Sequence, residues 1–208
     1  MGLVVVSKDE ELAHLKKCLQ KEVIKNTGAF SWISVIHKAL KCPDRRFNFW
    51  WRIANYLHHV SNGQSIIAKR INWNLRIKYG VEVELGAVIK EGLSLVHRVG
   101  IVISRHSVIG TNFHVLQNVT VGVVIREGDK TPSIVIGDNV TVGANSCIIG
   151  SDITIGDNVA IGAMSFINKS IPSDCTVYTP KMNNIVKIKN HHNKLRYFTL
   201  LVLPRRDG

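Results

Sequence analysis

Aliphatic residues recur every six positions through the middle of the chain. The period runs from Val83 to Ile101, restarts two residues later at Ile103, and continues to Ile167 with the interruption described below and one extra residue after Ile148. A period of six is neither the helical period of 3.6 residues nor the two-residue alternation of a simple strand. A glycine follows the aliphatic residue at several repeats, as tight corners between short strands require: Ile109-Gly110, Val121-Gly122, Ile136-Gly137, Val142-Gly143, Ile155-Gly156 and Ile161-Gly162. The pattern predicts a solenoid in which six residues form each side of a triangular coil and the aliphatic residue points inward.

One segment breaks this period. Residues 123–133 read VVIREGDKTPS, which contains charges, a glycine and a proline and fits no coil. We predict that this segment is a loop extruded from the solenoid, and loops on rigid scaffolds are where function concentrates. A β-sandwich with irregular turns is the alternative fold, but it would require the phased aliphatic residues to be a coincidence.

The first part of the chain has helical periodicity instead. Ser7 and Glu10 form a capping box, and leucine and valine residues follow at helical spacing, so we predict a helix over residues 7–25. Two more helices are predicted, over residues 47–60 and 65–78.

Positive charge is confined to the two ends of the chain. The net charge is +12, but residues 1–80 hold 14 basic and 5 acidic residues, residues 81–180 hold 6 and 9, and residues 181–208 hold 7 and 1. We therefore divide the chain into a helical N-terminal region, a solenoid domain and a basic tail with these bounds. A basic protein can bind nucleic acid, but neither end carries a recognition motif, so no nucleic-acid partner is expected.

The run of aromatic and basic residues at 45–52 has two interpretations. The aromatic side chains can pack the helical region on the first coil, with the basic residues solvated. Alternatively, aromatic and basic residues together can lie at an anionic membrane surface, to which Arg196, Arg205 and Arg206 of the tail would add.

The cysteines and the N-terminal sequence bear on the compartment. The four cysteines lie far apart without a CxxC pair, which is typical of reduced thiols in a cytoplasm and argues against a structural zinc site. The N-terminal sequence predicts neither a signal peptide nor a membrane span, and Val6 stands where a myristoylation signal has Ser or Thr. We expect a cytoplasmic protein, either soluble or peripheral at the inner face of the cell membrane.

Residues 46 to about 188 resemble the hexapeptide-repeat acyltransferases, in their serine acetyltransferase-like branch. The resemblance rests on the six-residue period, on the segment Val81 to Ile103 and on the exit Ile161-Gly162-Ala163-Met164-Ser165. It implies a left-handed parallel β-helix and a homotrimer with acetyl-CoA in the groove between neighbouring subunits. It also implies that the extruded loop of one chain reaches over the active site of the next.

Acetyl transfer to a hydroxyl needs a general base and donors aimed at the developing oxyanion. His97 stands in a corner, two residues after the inward Leu95, and coincides with the catalytic histidine of the family's D-H-x-x-G motif. We therefore assign His97 as the general base of a direct transfer, without a metal or a covalent acyl-enzyme. The family's partner carboxylate falls on Glu82, which would fix the imidazole tautomer. Glu84, two residues further on, is the rival for this role.

Departures from the family motifs guide the acceptor prediction. Val96 stands where serine acetyltransferases carry an aspartate for the serine ammonium, and Lys130-Thr131 replaces their Arg-His before Pro132. An ammonium left without its carboxylate loses about 1–3 kcal/mol, whereas a neutral sugar hydroxyl needs no such partner. We therefore predict O-acetylation of a sugar in the biosynthesis of a surface polysaccharide such as capsule, O-antigen or exopolysaccharide, with a glycan or lipid-linked glycan as acceptor.

Two alternatives stay open. One is a serine O-acetyltransferase of cysteine biosynthesis. The other is a non-enzymatic trimeric scaffold whose basic ends bind a membrane.

The resemblance also suggests further contacts. Arg105, followed by His106, replaces a Glu-Thr pair of the family and is assigned to the acceptor pocket, with a surface role as the alternative. Gln117 stacks one coil above His97 by repeat register and would contact acceptor or cofactor. Lys181 ends a partly kept G-x-P-A-K stretch of the family and is assigned to a coenzyme phosphate. Small corner residues would let the pantetheine arm approach: Gly143, Ala144, Gly162 and Ala163.

Overall fold

The computed structural model describes residues 7–124 and 133–180. Its first part is helical: α1 (Lys8–Leu19), extended by a π-helical turn (Gln20–Ile24), α2 (Trp32–Lys41), α3 (Pro43–Val60) and α4 (Ile66–Tyr79). The predicted capping box is confirmed, because the Glu10 N–H donates to Ser7 Oγ at 3.2 Å and the Ser7 N–H donates to Glu10 Oε2 at 2.8 Å. Helix α2 had no sequence prediction, although its polar residues share one side of the helix and its apolar residues the other.

The rest of the described chain is a left-handed parallel β-helix, as predicted. Successive short strands go in turn to three sheets, so that each coil adds one strand to each sheet. Sheet A contains β1 (Glu82–Val83), β4 (Val102–Ile103), β7 (Thr120–Val123), β10 (Cys147–Gly150) and β13 (Phe166–Ile167). Sheet B contains β2 (Val88–Ile89), β5 (Ser107–Ile109), β8 (Ile134–Ile136) and β11 (Ile153–Ile155). Sheet C contains β3 (Ser94–Leu95), β6 (His114–Val115), β9 (Thr141–Val142), β12 (Ala160–Ile161) and β14 (Thr176–Val177).

The phased aliphatic residues form the core of the coil. They stack in register from coil to coil, one column inside each sheet, and this burial of branched side chains is what stabilises the stack. The columns are Val83, Ile103, Val121, Ile148 and Ile167 in sheet A; Ile89, Ile109, Ile136 and Ile155 in sheet B; and Leu95, Val115, Val142, Ile161 and Val177 in sheet C.

The coil has sides longer than six residues at three corners, all of which flank sheet A. From one column residue to the next the chain takes eight residues between Leu95 and Ile103, fifteen between Val121 and Ile136, and seven between Ile148 and Ile155. The first of these is the two-residue offset in the sequence period, and it enlarges the corner 96–100. The second contains the predicted loop.

Helix α3 covers the open end of the first coil. An inner coil has a neighbour on each side for its backbone N–H and C=O groups, whereas the first coil has a neighbour on one side only. Four side chains on one face of α3 bond the free carbonyls; we call Asn48, Trp51, Arg52 and Asn55 the α3 polar row. The bonds are Asn48 Nδ2 to Leu93 O (2.8 Å), Trp51 Nε1 to Val83 O (3.0 Å), Arg52 Nη1 to Ile89 O (2.6 Å), Arg52 Nη2 to Lys90 O (2.8 Å) and Asn55 Nδ2 to Ala87 O (3.1 Å).

A buried ion pair completes this end. The Glu22 carboxylate, in the π-helical turn, accepts the backbone N–H groups of Gly92 and Leu93, both at 3.0 Å. It also pairs with Arg52 at 2.6 Å, and the two side chains are 1% and 3% exposed. Burial lowers the pKa of the Arg52 guanidinium, but its charge and hydrogen-bond interactions with Glu22 and the weaker effects of other nearby acidic groups together outweigh burial and leave that pKa above its ordinary value. The helical region and the first coil are therefore joined by charge as well as by apolar contact.

For the inner residues of the aromatic and basic run at 45–52, the structure decides between the two interpretations. Phe47, Trp51 and Arg52 are buried against the first coil, which is the packing interpretation. Trp50 lies on the other side of α3 and is 45% exposed.

Candidate functional site

His97 lies in the enlarged corner between β3 and β4 with its side chain exposed. Its φ of 51° places it in the left-handed region, which few residues other than glycine and asparagine adopt without cost. The left-handed position that stacks at this edge is Gly100 in this coil (φ 65°), followed by Asn118 (φ 56°) and Asn145 (φ 58°) in the next two, so His97 is an additional left-handed residue of the enlarged corner. Left-handed residues recur at the corners of the described coils, and the chemical role of His97 stays a prediction from its motif.

Hydrogen bonds join this corner to the chain on both of its sides, before the coil and in the next coil. The Gly100 N–H donates to Gly80 O at 2.8 Å, and the Asn118 N–H donates to Val99 O at 2.9 Å. The Arg98 guanidinium donates to the Asp44 carbonyl at the start of α3. The imidazole is thus presented by an anchored corner rather than by a free loop.

The two candidate partner carboxylates are both bonded to arginines. Glu82 opens β1 at the edge of sheet A that carries the enlarged corner, and its Oε1 accepts from Arg76 Nη1 of α4 at 3.0 Å. Glu84 accepts the Arg105 backbone N–H at 2.8 Å and its guanidinium at 3.4 Å. Burial raises the pKa of the Glu84 carboxyl, but the hydrogen bonds from Arg105 outweigh it and lower that pKa overall. Among the described hydrogen bonds and ion pairs, neither carboxylate reaches His97, so the orienting role stays a prediction.

Helix α4 and sheet A enclose a cleft of about 250 Å³ beside these residues. Both carboxylates line it together with three cations, Lys69, Arg76 and Arg105. Lys69 and Arg76 were not predicted as site residues, because no sequence signal connects a position in α4 with a strand of sheet A. Only the fold brings charges of both signs to one surface.

Gln117 has a feature that supports its predicted place in the site. The pairing of Leu95 with Val115 sets Gln117 in register with His97 one coil away. The amide oxygen Oε1 of Gln117 is buried and has no hydrogen-bond partner among the described residues. Buried acceptors are nearly always satisfied, so a donor from a bound molecule fits this position.

The close stacking of the coils by itself accounts for the small corner residues that were predicted to contact the cofactor. Gly143 lies against the next coil, where a Cβ on it would meet the Ala163 backbone nitrogen at 2.4 Å. A Cβ on Gly162 would meet Tyr178 at 3.1 Å. Ala144 O accepts the Met164 N–H at 2.7 Å within the same stack. Their contact with a pantetheine arm stays a prediction.

Several predicted site residues lie outside the described residues: Lys130, Thr131 and Lys181. Val96, which is described, is half-buried, and its N–H donates to Val115 O at 2.8 Å.

Two features, a membrane-spanning helix and a metal-binding cluster, are absent from the described residues. None of the described helices is long and apolar enough to cross a membrane. The described residues also contain no cluster of three or more His, Cys, Asp or Glu that could hold a metal ion.

Curated relatives of the chain are named serine acetyltransferase. The mitochondrial serine acetyltransferase 3 of Arabidopsis thaliana is 38% identical over 126 residues, which are 60% of this chain and 31% of the relative. The enzyme of Synechococcus elongatus is 34% identical over 127 residues, 61% of this chain and 50% of the relative. That of Staphylococcus epidermidis is 39% identical over 117 residues, 56% of this chain and 54% of the relative. The chain thus matches a third to about half of the length of these relatives.

Solved structures of serine acetyltransferases share the fold. Isoform 3 of Entamoeba histolytica, in complex with cysteine, has a TM-score of 0.65 at 25% identity and covers 93% of this chain and 65% of its own. The enzyme of Neisseria gonorrhoeae, in complex with serine, has a TM-score of 0.60 at 27% identity and covers 81% of this chain and 66% of its own. No protein-family model matches the chain.

These comparisons overturn the prediction of a sugar acceptor in polysaccharide biosynthesis. The relatives and the structures are serine acetyltransferases. The prediction rested on Val96 and on Lys130-Thr131, and it took no account of the cleft at which the fold gathers Glu82, Glu84 and three cations. The chain has the left-handed β-helix fold of the serine acetyltransferases and is similar to them in sequence over about half or more of its length.

Proposed function

We propose that this protein is a serine O-acetyltransferase that takes its acetyl group from acetyl-CoA. The observation that carries the proposal is the 34–39% identity to proteins named serine acetyltransferase. The anchored corner that presents the exposed His97 supports it. A direct transfer requires no covalent acyl-enzyme.

His97 is the general base in this proposal. It removes the proton of the serine hydroxyl as the oxygen attacks the thioester carbonyl, and the tetrahedral intermediate collapses with release of the coenzyme as its thiol. The αL corner keeps the imidazole exposed beside sheet A, where an acceptor can reach it. Glu82, at the same edge, orients the imidazole when it exchanges its bond to Arg76 for one to His97.

Serine brings an ammonium and a carboxylate, and the proposal needs a partner for each. Val96 offers none, so the carboxylates of the cleft are the candidate partners of the ammonium, and Lys130 or a cation of the cleft is the candidate partner of the carboxylate. The paired charges Glu82–Arg76 and Glu84–Arg105 are exposed enough to exchange partners, since their side chains are 32–61% exposed. Gln117 Oε1 accepts a hydrogen bond from the ammonium or from an amide N–H of the pantetheine arm.

We further propose a homotrimer with acetyl-CoA bound between subunits. The corner that carries His97 precedes a strand of sheet A, and the corner that carries residues 123–133 follows one. The two corners therefore lie at opposite ends of the strands of this sheet. They share a site most simply when the loop comes from a neighbouring chain. This arrangement makes sheet A face the three-fold axis.

The test is a measurement of thiol release from acetyl-CoA with L-serine, with D-serine and with a panel of oligosaccharides. We expect turnover with L-serine well above hydrolysis of acetyl-CoA alone and little with D-serine. Thiol release that no serine concentration increases would overturn the proposal.

A further inference from the structure

Helix α2 carries an apolar face that the described chain leaves uncovered. Ile33, Ile36 and Leu40 are 82%, 50% and 68% exposed and follow one another at the helical spacing of three and four residues. We call them the outer face of α2. On the opposite side, Val35 and Ala39 are buried against α1 and the π-helical turn. The inner face is therefore sufficient to hold α2 on the protein, and the outer face is available to a partner.

Cations lie at the C-terminal end of this outer face. Lys41 is exposed in the last turn of α2, whose sequence has no acidic residue. Arg46 of α3 reaches the same end, where its Nε donates to Ala39 O at 3.1 Å and its Nη2 donates to Leu40 O at 2.5 Å. Between residues 23 and 81 the sequence has ten Lys and Arg residues and a single acidic residue, Asp44. A partner of this surface must tolerate or complement strong positive charge.

Two of the exposed tryptophans of the helical region are Trp32 in α2 and Trp50 in α3. Trp32 opens α2, is 40% exposed and packs edge-on to Phe30 with ring centroids 5.0 Å apart. Trp50, one turn after Arg46, lines a groove of about 280 Å³ together with Lys78. Tryptophan has a large apolar body and one N–H donor, which suits the boundary between hydrocarbon and water.

We propose that the outer face of α2 binds an anionic lipid surface, with the helix lying in the plane of the headgroups. The apolar side chains enter the boundary of the acyl chains while Lys41 and Arg46 contact acidic headgroups. A second copy of the chain fits less well, because a symmetric contact would bring the same cations from both sides with only Asp44 to oppose them. The inference is independent of the proposed acetyl transfer.

Sedimentation of the whole protein with lipid vesicles tests this proposal. We expect binding to vesicles of phosphatidylcholine with phosphatidylglycerol, weak binding to phosphatidylcholine alone, and release at high salt because the attraction is screened. Equal binding to both kinds of vesicle would contradict the role of charge.

Two variants locate the face. Ile33→Ser with Leu40→Ser removes apolar surface without a change of charge and should lower the partition coefficient about tenfold or more. Lys41→Gln removes one charge beside the face and should lower the partition coefficient about fivefold. The matched control is Val88→Thr with Val135→Thr, which changes exposed residues on the outside of sheet B, where the next strand already carries Thr154. This control should bind as the natural protein does.

Three results would overturn the proposal. The first is unchanged vesicle binding by both α2 variants, and the second is an equal loss in the sheet B control. The third is a lower molecular mass of the Ile33→Ser and Leu40→Ser variant without vesicles, which would assign the face to a second copy. Because the lysine variant alters only one surface group, it keeps the test decisive even where the serine variant folds poorly.

Discussion

His97 has a left-handed backbone conformation in the enlarged corner, in addition to Gly100, which occupies the position that the next coils give to asparagine. Asparagine adopts the left-handed region at lower cost than other non-glycine residues, so the histidine is a local loss of stability. The sequence identified His97 through a motif and through the two-residue offset in the period, but it did not reveal the conformation. The structure therefore adds a way to separate the function of this residue from its effect on stability.

We expect His97→Asn to abolish acetyl transfer while leaving the protein at least as stable. Loss of a general base lowers kcat by about 10²–10⁴, whereas relief of the backbone should raise the free energy of unfolding by up to about 1 kcal/mol. Thiol release and urea unfolding measure the two effects. The matched control is His37→Asn on the exposed side of α2, which should retain activity; a strongly destabilised His97→Asn would contradict the strain argument.

A variant of Gln117 can also separate the function of a residue from its effect on stability. Its buried Oε1 lacks a partner among the described residues, so Gln117→Leu should leave the free energy of unfolding of the ligand-free protein unchanged or raise it by about 1 kcal/mol. The same change should raise the KM for serine or for acetyl-CoA, because a bound donor loses its acceptor. Initial rates over both substrates identify which one.

Asn139 is the comparison for that variant. Its amide is bonded on both sides, accepting from Asn112 at 2.7 Å and donating to Asn158 at 3.0 Å. Asn139→Leu should destabilise the protein by about 1–2 kcal/mol, because it removes both bonds and because leucine adopts the left-handed conformation of this position (φ 58°) at a cost. If Gln117→Leu destabilised to the same extent, Oε1 would have a partner in the free protein.

At the scale of elements, the helices were harder to predict than the coil. The six-residue period names the inward residue of each strand directly, so the columns of the core follow from the sequence. The α3 polar row has no such signal, since Asn48, Trp51, Arg52 and Asn55 bond carbonyls 32–45 positions away. Helix α2 was missed although its apolar and polar residues lie on separate sides at helical spacing.

The prediction at the scale of elements concerns the effect of the Glu22–Arg52 ion pair on the free energy of unfolding. Glu22→Leu leaves a buried guanidinium without its carboxylate and should cost about 3–5 kcal/mol. The double variant Glu22→Leu with Arg52→Met should recover only part of this, because carbonyls and N–H groups of the first coil also lose their partners. Urea unfolding measures both.

Lys17→Gln is the control for the ion pair. Lys17 also pairs with a carboxylate, that of Glu91 at 2.9 Å, but its side chain is 68% exposed. Exposed pairs contribute about 0–1 kcal/mol, so this variant should unfold almost as the natural protein does. A similar loss in both variants would show that burial is not what makes the Glu22 pair strong.

At the scale of the whole molecule, the sequence predicted the coil and its long corners but not the acceptor. The extra residues of the coil lie at the two edges of sheet A, and that distribution is visible in the spacing of the aliphatic residues alone. The charges that face sheet A come from α4, which no period relates to the coil. The substrate was therefore misjudged from Val96 while the fold was correct.

The trimer is testable by mass and by complementation. Sedimentation equilibrium should give three times the chain mass of 23.2 kDa, about 70 kDa. If the loop of one chain completes the site of the next, co-expressed chains with His97→Asn and with Lys130→Ala plus Thr131→Ala should regain activity that neither has alone. A monomer, or mixed trimers without any recovery, would contradict the shared site.

The α3 polar row also determines how copies of this protein can meet. A bare first coil would offer free carbonyls from three sides at once and could seed growth of a fibre by stacking one chain on another. In this molecule that end is already occupied by amide, indole and guanidinium donors from its own helix. Longitudinal polymerisation through the first coil is therefore blocked from the moment that α3 docks, and association is directed to the flanks of the prism.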